Sequence, residues 1–277
     1  MSNIIYPNYN YNIEKALSKI EKSLDENLYI EQLANISGYS PFHFQRLFKE
    51  YTGENIGSYI KRLRIEKGAF MLKYQYERIS TVAIRTGFNS NTSFTRAFKR
   101  YYNISPLEFK GFYKDKFLCN DTPTYKIVEV EPFDVFFIRV FGNYKTSEPL
   151  AWKILSNNYT SLINNNPQYV SICYDEPTIS KKYSKLRYEA CLLYEEEKHQ
   201  KFKNRLLRKT VEGGRYAKFE FEGNLNELDS FFYCIYETFY HLNDFQISLK
   251  PTFQVHHNNF NNLLYGRTKT DLFIPLD

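Results

Sequence analysis

Two stretches of this chain, fifty positions apart, are so alike that few folds remain open to the residues between them. SPFHFQRLFKEYTG (Ser40–Gly53) and SNTSFTRAFKRYYN (Ser90–Asn103) share Ser, Phe, Arg, Phe, Lys and Tyr in register. The same punctuation precedes each copy: Leu33-Ala34 then Gly38-Tyr39, and Val82-Ala83 then Gly87-Phe88. Glycine takes the left-handed conformation that ends a helix, and a small alanine lets two helices cross closely. Each copy therefore reads as a short helix, a glycine turn and a second helix, which is a helix-turn-helix unit. Ser40 and Ser90 stand where they would cap the second helices, and Pro41 suits a first helical position, where its missing N–H is no loss.

Within the first copy Phe44, Leu47, Phe48 and Tyr51 fall at i, i+3, i+4 and i+7 and share the inward face, leaving Phe42, Gln45, Arg46 and Lys49 outward. The second copy sorts alike, with Phe94, Ala97, Phe98 and Tyr101 inward and Thr92, Thr95, Arg96 and Lys99 outward. A single Arg or Gln on an amphipathic helix usually does no more than solvate it. Solvation alone does not place arginine and lysine at matched positions in both copies. Between the copies, Ile56 to about Tyr74 reads as one long helix through Ile60, Leu63, Ala69, Phe70 and Leu72. Such a helix would hold the two units at a fixed spacing, as two successive major grooves about 34 Å apart require.

Charge separates the chain into unlike halves. Residues 1–116 carry 18 Lys+Arg against 11 Asp+Glu (+7), and residues 117–277 carry 19 against 20 (−1). A basic surface attracts phosphate backbones through counterion release, so the first half is the candidate nucleic-acid module. At 277 residues two domains are expected. The four cysteines (Cys119, Cys173, Cys191, Cys234) are scattered without metal-ligand spacing, which suits a reducing cytoplasm. The opening MSNIIYPNYN has neither basic leader nor apolar stretch, and the apolar run Val135–Phe141 is interrupted by Arg139, so no membrane span is expected.

The first half resembles the AraC/XylS family of DNA-binding domains in its MarA and Rob branch. The resemblance covers about residues 8–112 and rests on Ser37–Lys49, Arg64–Leu72, Ile79–Ala83, Gly87-Phe88, Phe94–Lys99 and Ser105-Pro106. It implies double-stranded DNA and RNA polymerase as partners. It also implies base contacts from Phe42, Gln45 and Arg46 in the first copy and from Asn91, Thr92, Thr95 and Arg96 in the second. The chemistry suits: Arg pairs with guanine, Gln with adenine, and a ring or threonine methyl packs on thymine. Ser40, Lys49, Lys99 and Arg100 are expected at phosphates. Gly68 departs from the family's usual alanine and would soften the linking helix by about 1 kcal/mol.

After Ser105-Pro106 the periodicity fades, and a linker is expected at 115–124. Strand-like segments follow at Lys126–Val130, Phe133–Phe141, Tyr169–Tyr174, Arg187–Tyr194, Arg215–Phe221, Thr252–His257 and Leu272–Pro275, with helices from Glu148 to about Asn164 and from Asn226 to about Asn243. Gly142-Asn143 and Gly223-Asn224 close corresponding strands ahead of each helix. This half resembles the GyrI-like effector-binding domains over about residues 124–277. The resemblance rests on Gly142–Tyr144 with Trp152, Glu212–Ala217, Pro251–Gln254 and Ile274-Pro275. It implies a small-molecule effector in an aromatic-lined cleft between the duplicated halves, often beside a buried carboxylate. Gln254 matches the position of that carboxylate, so a neutral or hydrogen-bonding ligand is expected, and a hydrolytic role loses its acid or base. Tyr144, Trp152, Tyr174, Phe253 and Gln254 are the expected effector contacts. His256-His257 would point to opposite faces of a strand, so neither a metal site nor a cofactor is expected.

The expected protein is thus multidomain: an all-α double helix-turn-helix domain at residues 1–114, and an α+β domain of duplicated strand and helix modules at residues 125–277. It is read as a sequence-specific transcriptional regulator modulated by a small molecule, not as an enzyme. The competing reading is a DNA-localised protein whose second domain is a small-molecule hydrolase or a protein-interaction module.

Overall fold

The computed structural model describes residues 11–75, 77–114, 123–163, 168–196, 207–241, 245–257 and 267–277. Two compact units divide the chain, Met1–Lys116 with Thr178–Lys181 and Phe117–Pro177 with Lys182–Asp277. Most of the expected linker at 115–124 lies outside the described residues.

The first unit is helical: α1 (Tyr11–Lys22), α2 (Ile30–Ile36), α3 (Pro41–Thr52), α4 (Ile56–Tyr74), α5 (Ile79–Arg85), α6 (Asn91–Tyr102) and α7 (Pro106–Lys114). The repeat is visible atom by atom. Ser40 Oγ accepts from the His43 N–H, and Ser90 Oγ accepts from the Ser93 N–H, capping α3 and α6. Gly38 and Gly87 hold φ of 69° and 76°. In each turn a hydroxyl donates back one helical turn, Ser37 to Leu33 O and Thr86 to Val82 O. At the far ends, Gly53 and Asn103 both take the left-handed conformation and both donate their N–H to a lysine carbonyl, Lys49 and Lys99. Asn103 is tolerated there because its short amide side chain makes the region less costly than for other residues.

Phe44, Phe48, Phe94 and Phe98 are fully buried, and burying each contributes roughly 1.5–3 kcal/mol. Tyr51 and Tyr101 stay half-buried because their hydroxyls donate to carboxylates, Tyr51 to Glu14 and Tyr101 to Glu66. Tyr102, not Tyr101, completes the inward stripe of α6. The linking helix α4 carries a buried ion network, with Arg62 donating to Glu54 at 2.8 Å and to Glu66 at 2.9 Å. Gly68 has a packing reason. A Cβ there would stand 2.8 Å from Phe94 Cε2 and 3.2 Å from Val82 Cγ1, so both lie directly against the backbone of α4.

The second unit is one antiparallel eight-stranded sheet: β1 (Tyr125–Val130), β2 (Phe133–Phe141), β3 (Tyr169–Cys173), β4 (Arg187–Leu193), β5 (Leu207–Val211), β6 (Gly214–Asn224), β7 (Thr252–His256) and β8 (Arg267–Pro275), with α8 (Tyr144–Asn158), α9 (Thr160–Ile163) and α10 (Leu225–His241). The order β1-β6-β8-β7-β3-β4-β2-β5 reads the same from either end when β1 is matched to β5, β2 to β6, β3 to β7 and β4 to β8. The duplication therefore closes on itself about a line between β3 and β7. Each half lends its first strand to the other: β1 pairs with β6, and β5 pairs with β2. Charged Arg208 and Lys209 on edge strand β5 gave it no strand signature, so it was not expected, although such charges protect an exposed edge.

Helix α8 begins at Tyr144, four residues before the expected start at Glu148. Proline normally marks a helix's first turn, which makes Pro149 suggest a later beginning. Asn143 sets the true start by accepting from the Lys145 N–H. Arg139, the charge inside the apolar run, faces Glu189 in register across β2 and β4 and donates to it at 2.7 Å.

Candidate functional site

Both α3 and α6 present the residues that the repeat placed outward. On α3, Phe42 is 84% exposed, and Gln45, Arg46 and Lys49 are exposed beside it. On α6, Asn91, Thr92, Arg96, Lys99 and Arg100 are exposed and Thr95 is half-buried. An apolar ring so exposed on a capped helix is open to an outside surface, and thymine methyls would supply one. Ser40 spends its oxygen as a cap acceptor and keeps its O–H for an outside acceptor.

In the second unit the five expected effector contacts divide between the two faces of the sheet. Tyr144, Trp152 and Gln254 lie on the helix-covered face. Trp152 Nε1 donates to the Tyr188 hydroxyl, its ring stands edge-on to Tyr169 and His256, and it is wholly buried. Tyr174 and Phe253 lie on the other face, because strand residues alternate. The Tyr174 ring is held between Arg139 and Arg187, with Lys209 also over it. Phe253 stacks on Phe273 at 4.5 Å and meets Phe133 and Tyr216 edge-on. Tyr174 and Phe253 therefore do not join the other three.

That second face also carries Glu189, between Arg139 and Lys209. Burial opposes ionisation of Glu189, yet Lys209 and Arg139 beside it hold its carboxyl below the usual range. Burial likewise works against the charge on Lys209, and Glu189 more than restores it.

The helix-covered face has a strip, made of β3 and β7, that lies between the helices: α8 packs on β2 and β4, and α10 packs on β6. Ser171 and Gln254 face each other across this strip. Gln254 is 2% exposed. Its Nε2 donates to Cys173 Sγ at 3.7 Å, and its Oε1 has no partner among the described residues. Three tyrosines surround the strip, Tyr144 and Tyr188 beside Cys173 and Tyr236 from α10. Burial pushes all three hydroxyls up. Nearby Glu148 adds to the rise at Tyr188, and Glu176 adds to it at Tyr236. The carboxyl group absent at position 254 is thus present in two other residues beside the strip. The expectation of a neutral ligand, drawn from Gln254 alone, is weakened accordingly. The observed helix start adds Tyr144 to the face that Glu148 and Trp152 share, at i, i+4 and i+8. Glu176, Tyr188 and Tyr236 have no local sequence signal and need the strand pairing to bring them near.

A buried chain of hydrogen bonds runs across the same face. Trp152 can only donate, so the Tyr188 hydroxyl accepts from it, and that hydroxyl is hydrogen-bonded to Ser171 Oγ at 2.6 Å. Ser171 Oγ is hydrogen-bonded in turn to His256 Nε2 at 2.7 Å, His256 Nδ1 to Thr270 Oγ1 at 3.0 Å, and Thr270 Oγ1 to Thr268 Oγ1 at 2.7 Å. Burial, with a lesser effect of His257, pushes the His256 imidazole down to about 3, so it is neutral. Ser171 and His256 have the spacing of a nucleophile and its base. They are 0% and 1% exposed, and the imidazole is far from the neutral range that a general base needs. His257 points away and pairs with Asp271 at 2.9 Å. Among the described residues no group of three or more potential ligands could hold a metal ion, and no helix is long and apolar enough to cross a membrane. Cys234 is disulfide-bonded, while Cys173 and Cys191 are free.

Comparison with known proteins matches both halves. A family model for the helix-turn-helix domain covers residues 33–111, and one for the GyrI-like small molecule binding domain covers residues 123–277. The multiple antibiotic resistance protein MarA of Escherichia coli is 38% identical over 98 residues, 35% of this chain and 77% of MarA. The TetD protein of transposon Tn10 from Escherichia coli is also 38% identical over 98 residues, 71% of its length. YbfP, an uncharacterized HTH-type transcriptional regulator of Bacillus subtilis, is 35% identical over 106 residues, 38% of this chain and 36% of YbfP. Among solved structures, the DNA-binding domain of AdpA in complex with a target DNA aligns with a TM-score of 0.36 and 23% identity, over 37% of this chain and 93% of that one. The chain belongs to the AraC-type DNA-binding transcription regulators and carries a GyrI-like small molecule binding domain behind its helix-turn-helix region.

Proposed function

We propose that this regulator reads an asymmetric DNA site with α3 and α6 and changes its hold on that site when a small molecule occupies the β3–β7 strip of the second unit. Phe42, Gln45 and Arg46 contact bases from the first helix; Asn91, Thr92, Thr95 and Arg96 contact bases from the second. Ser40, Lys49, Lys99 and Arg100 hold phosphates. Tyr144 and Gln254 meet the effector, with Trp152 behind them reporting its arrival. RNA polymerase is the protein partner, and the cytoplasm is the compartment. The domains run over residues 1–114 and 125–277.

The observation that carries this reading is the shared register of α3 and α6, both serine-capped and both presenting arginine and lysine at matched exposed positions. Gel-shift titration of the full chain with genomic fragments tests it. A sequence-selective, salt-sensitive complex is expected, and binding indifferent to sequence would reject it. The second domain acts as a sensor and not a hydrolase: among the described residues the Ser171–His256 pair is sealed from solvent, and its imidazole is held far below the range that a general base needs.

A further inference from the structure

Gln254 Oε1 is an acceptor at the centre of the second unit, 2% exposed and without a partner among the described residues. Buried polar atoms are almost always paired, so an orphan facing a strip between helices points to a donor from outside the chain. The surroundings agree in kind. Glu148 approaches from α8, on the side that carries Tyr144 and Trp152, and Glu176 approaches from the segment after β3. Both bring carboxyl oxygens, which are acceptors. The remaining surface is aromatic, from Tyr144, Tyr188 and Tyr236. Cys173 and Tyr144 are half-buried and mark where the strip meets solvent.

We infer that the effector of this strip is a planar aromatic molecule with N–H donors, of the aryl amidine or aryl amide kind, one of whose N–H groups pairs with Gln254 Oε1. The inference rests on the reading of the strip as the effector site and adds the ligand's hydrogen-bonding class to it. A quaternary cation of the same size would suit the two carboxylates by charge but leave Oε1 unpaired. An apolar ligand would leave Oε1 unpaired as well. A donor-bearing ring pairs with Oε1, so donors rather than charge alone decide which ligand binds.

Two probes of equal charge and similar size isolate the point: benzamidine, which has N–H donors, and phenyltrimethylammonium, which has none. Titration of the full chain, followed by calorimetry and by Trp152 fluorescence, is expected to show benzamidine binding about tenfold more tightly. Gln254→Met keeps the length and removes the acceptor. It should erase most of that preference while changing phenyltrimethylammonium affinity less than about twofold, with an unchanged melting temperature as the folding control. The wild-type comparison stands by itself if the variant fails to fold. Equal affinity for the two cations, or an equal effect of Gln254→Met on both, would overturn the inference and leave the effector site in place. Binding of neither probe would overturn the inference together with the site.

Discussion

The Tyr101 hydroxyl donates to the Glu66 carboxylate across 2.6 Å, joining the inner side of the second reading helix to the long helix between the repeats. Burial first and Glu66 second push this hydroxyl well up, so it stays protonated and donating at any pH the protein meets. Tyr101→Phe should therefore cost about 1–3 kcal/mol through the partner it strips from a buried carboxylate. Specific DNA affinity should fall with it, because α6 loses a brace. Urea unfolding checks the first effect and gel-shift titration the second, and an unchanged unfolding midpoint would remove the brace from the account.

Arg46 and Arg96 stand at corresponding places in the repeat, while Lys49 and Lys99 lie one turn further along the same exposed faces. Arg46→Ala and Arg96→Ala should each cost about 1–3 kcal/mol and relax preference at one base step. Lys49→Ala should weaken all sequences alike and lower the salt dependence by about one counterion. Competition binding across single-base variants of a selected site separates the two behaviours. If the arginine variants lose equally on specific and random DNA, their role as base readers fails.

Gly68 offers a test in which local and tertiary effects have opposite signs. Alanine would favour the helix by about 1 kcal/mol. Its Cβ, however, would stand 2.8 Å from the fully buried Phe94 ring, and overpacking of that kind costs roughly 1–3 kcal/mol. Gly68→Ala should be destabilising on balance, as read by thermal melting. A stabilised variant would mean that α6 can slide away from α4 at little cost.

His256 links the second unit to pH. Its folded value is near 3 against an ordinary 6.5, so the unfolded chain binds the proton more readily than the fold does. Stability is unaffected above about pH 6.5 and falls as pH drops from there toward 3, by up to about 1.4 kcal/mol per pH unit. Unfolding midpoints of the second unit's transition at pH 7 and pH 5 should show this loss, and His256→Gln should flatten it. An equal loss in the variant would assign the pH dependence to other groups.

Local grammar was enough to find the helix-turn-helix units. Cap serine, turn glycine and inward aromatic all lie within one or two helical turns of one another, so the sequence spells out their spacing directly. The same locality made β2, β3 and β7 legible. It failed at the start of α8, which Asn143 caps four residues ahead of the expected Glu148, and at β5, which hid behind its charges.

The matched exposed faces of the two capped helices follow from residue order, because the 3.6-residue period fixes which side chains share a surface. Which aromatics of the second unit share a site follows from strand pairing. Strand alternation sends Gln254 and Phe253 to opposite faces, but which of their neighbours lie beside them depends on register with strands dozens of residues away. Side-chain direction is a local property, whereas adjacency across a sheet is set by pairing, and pairing is decided by the whole fold.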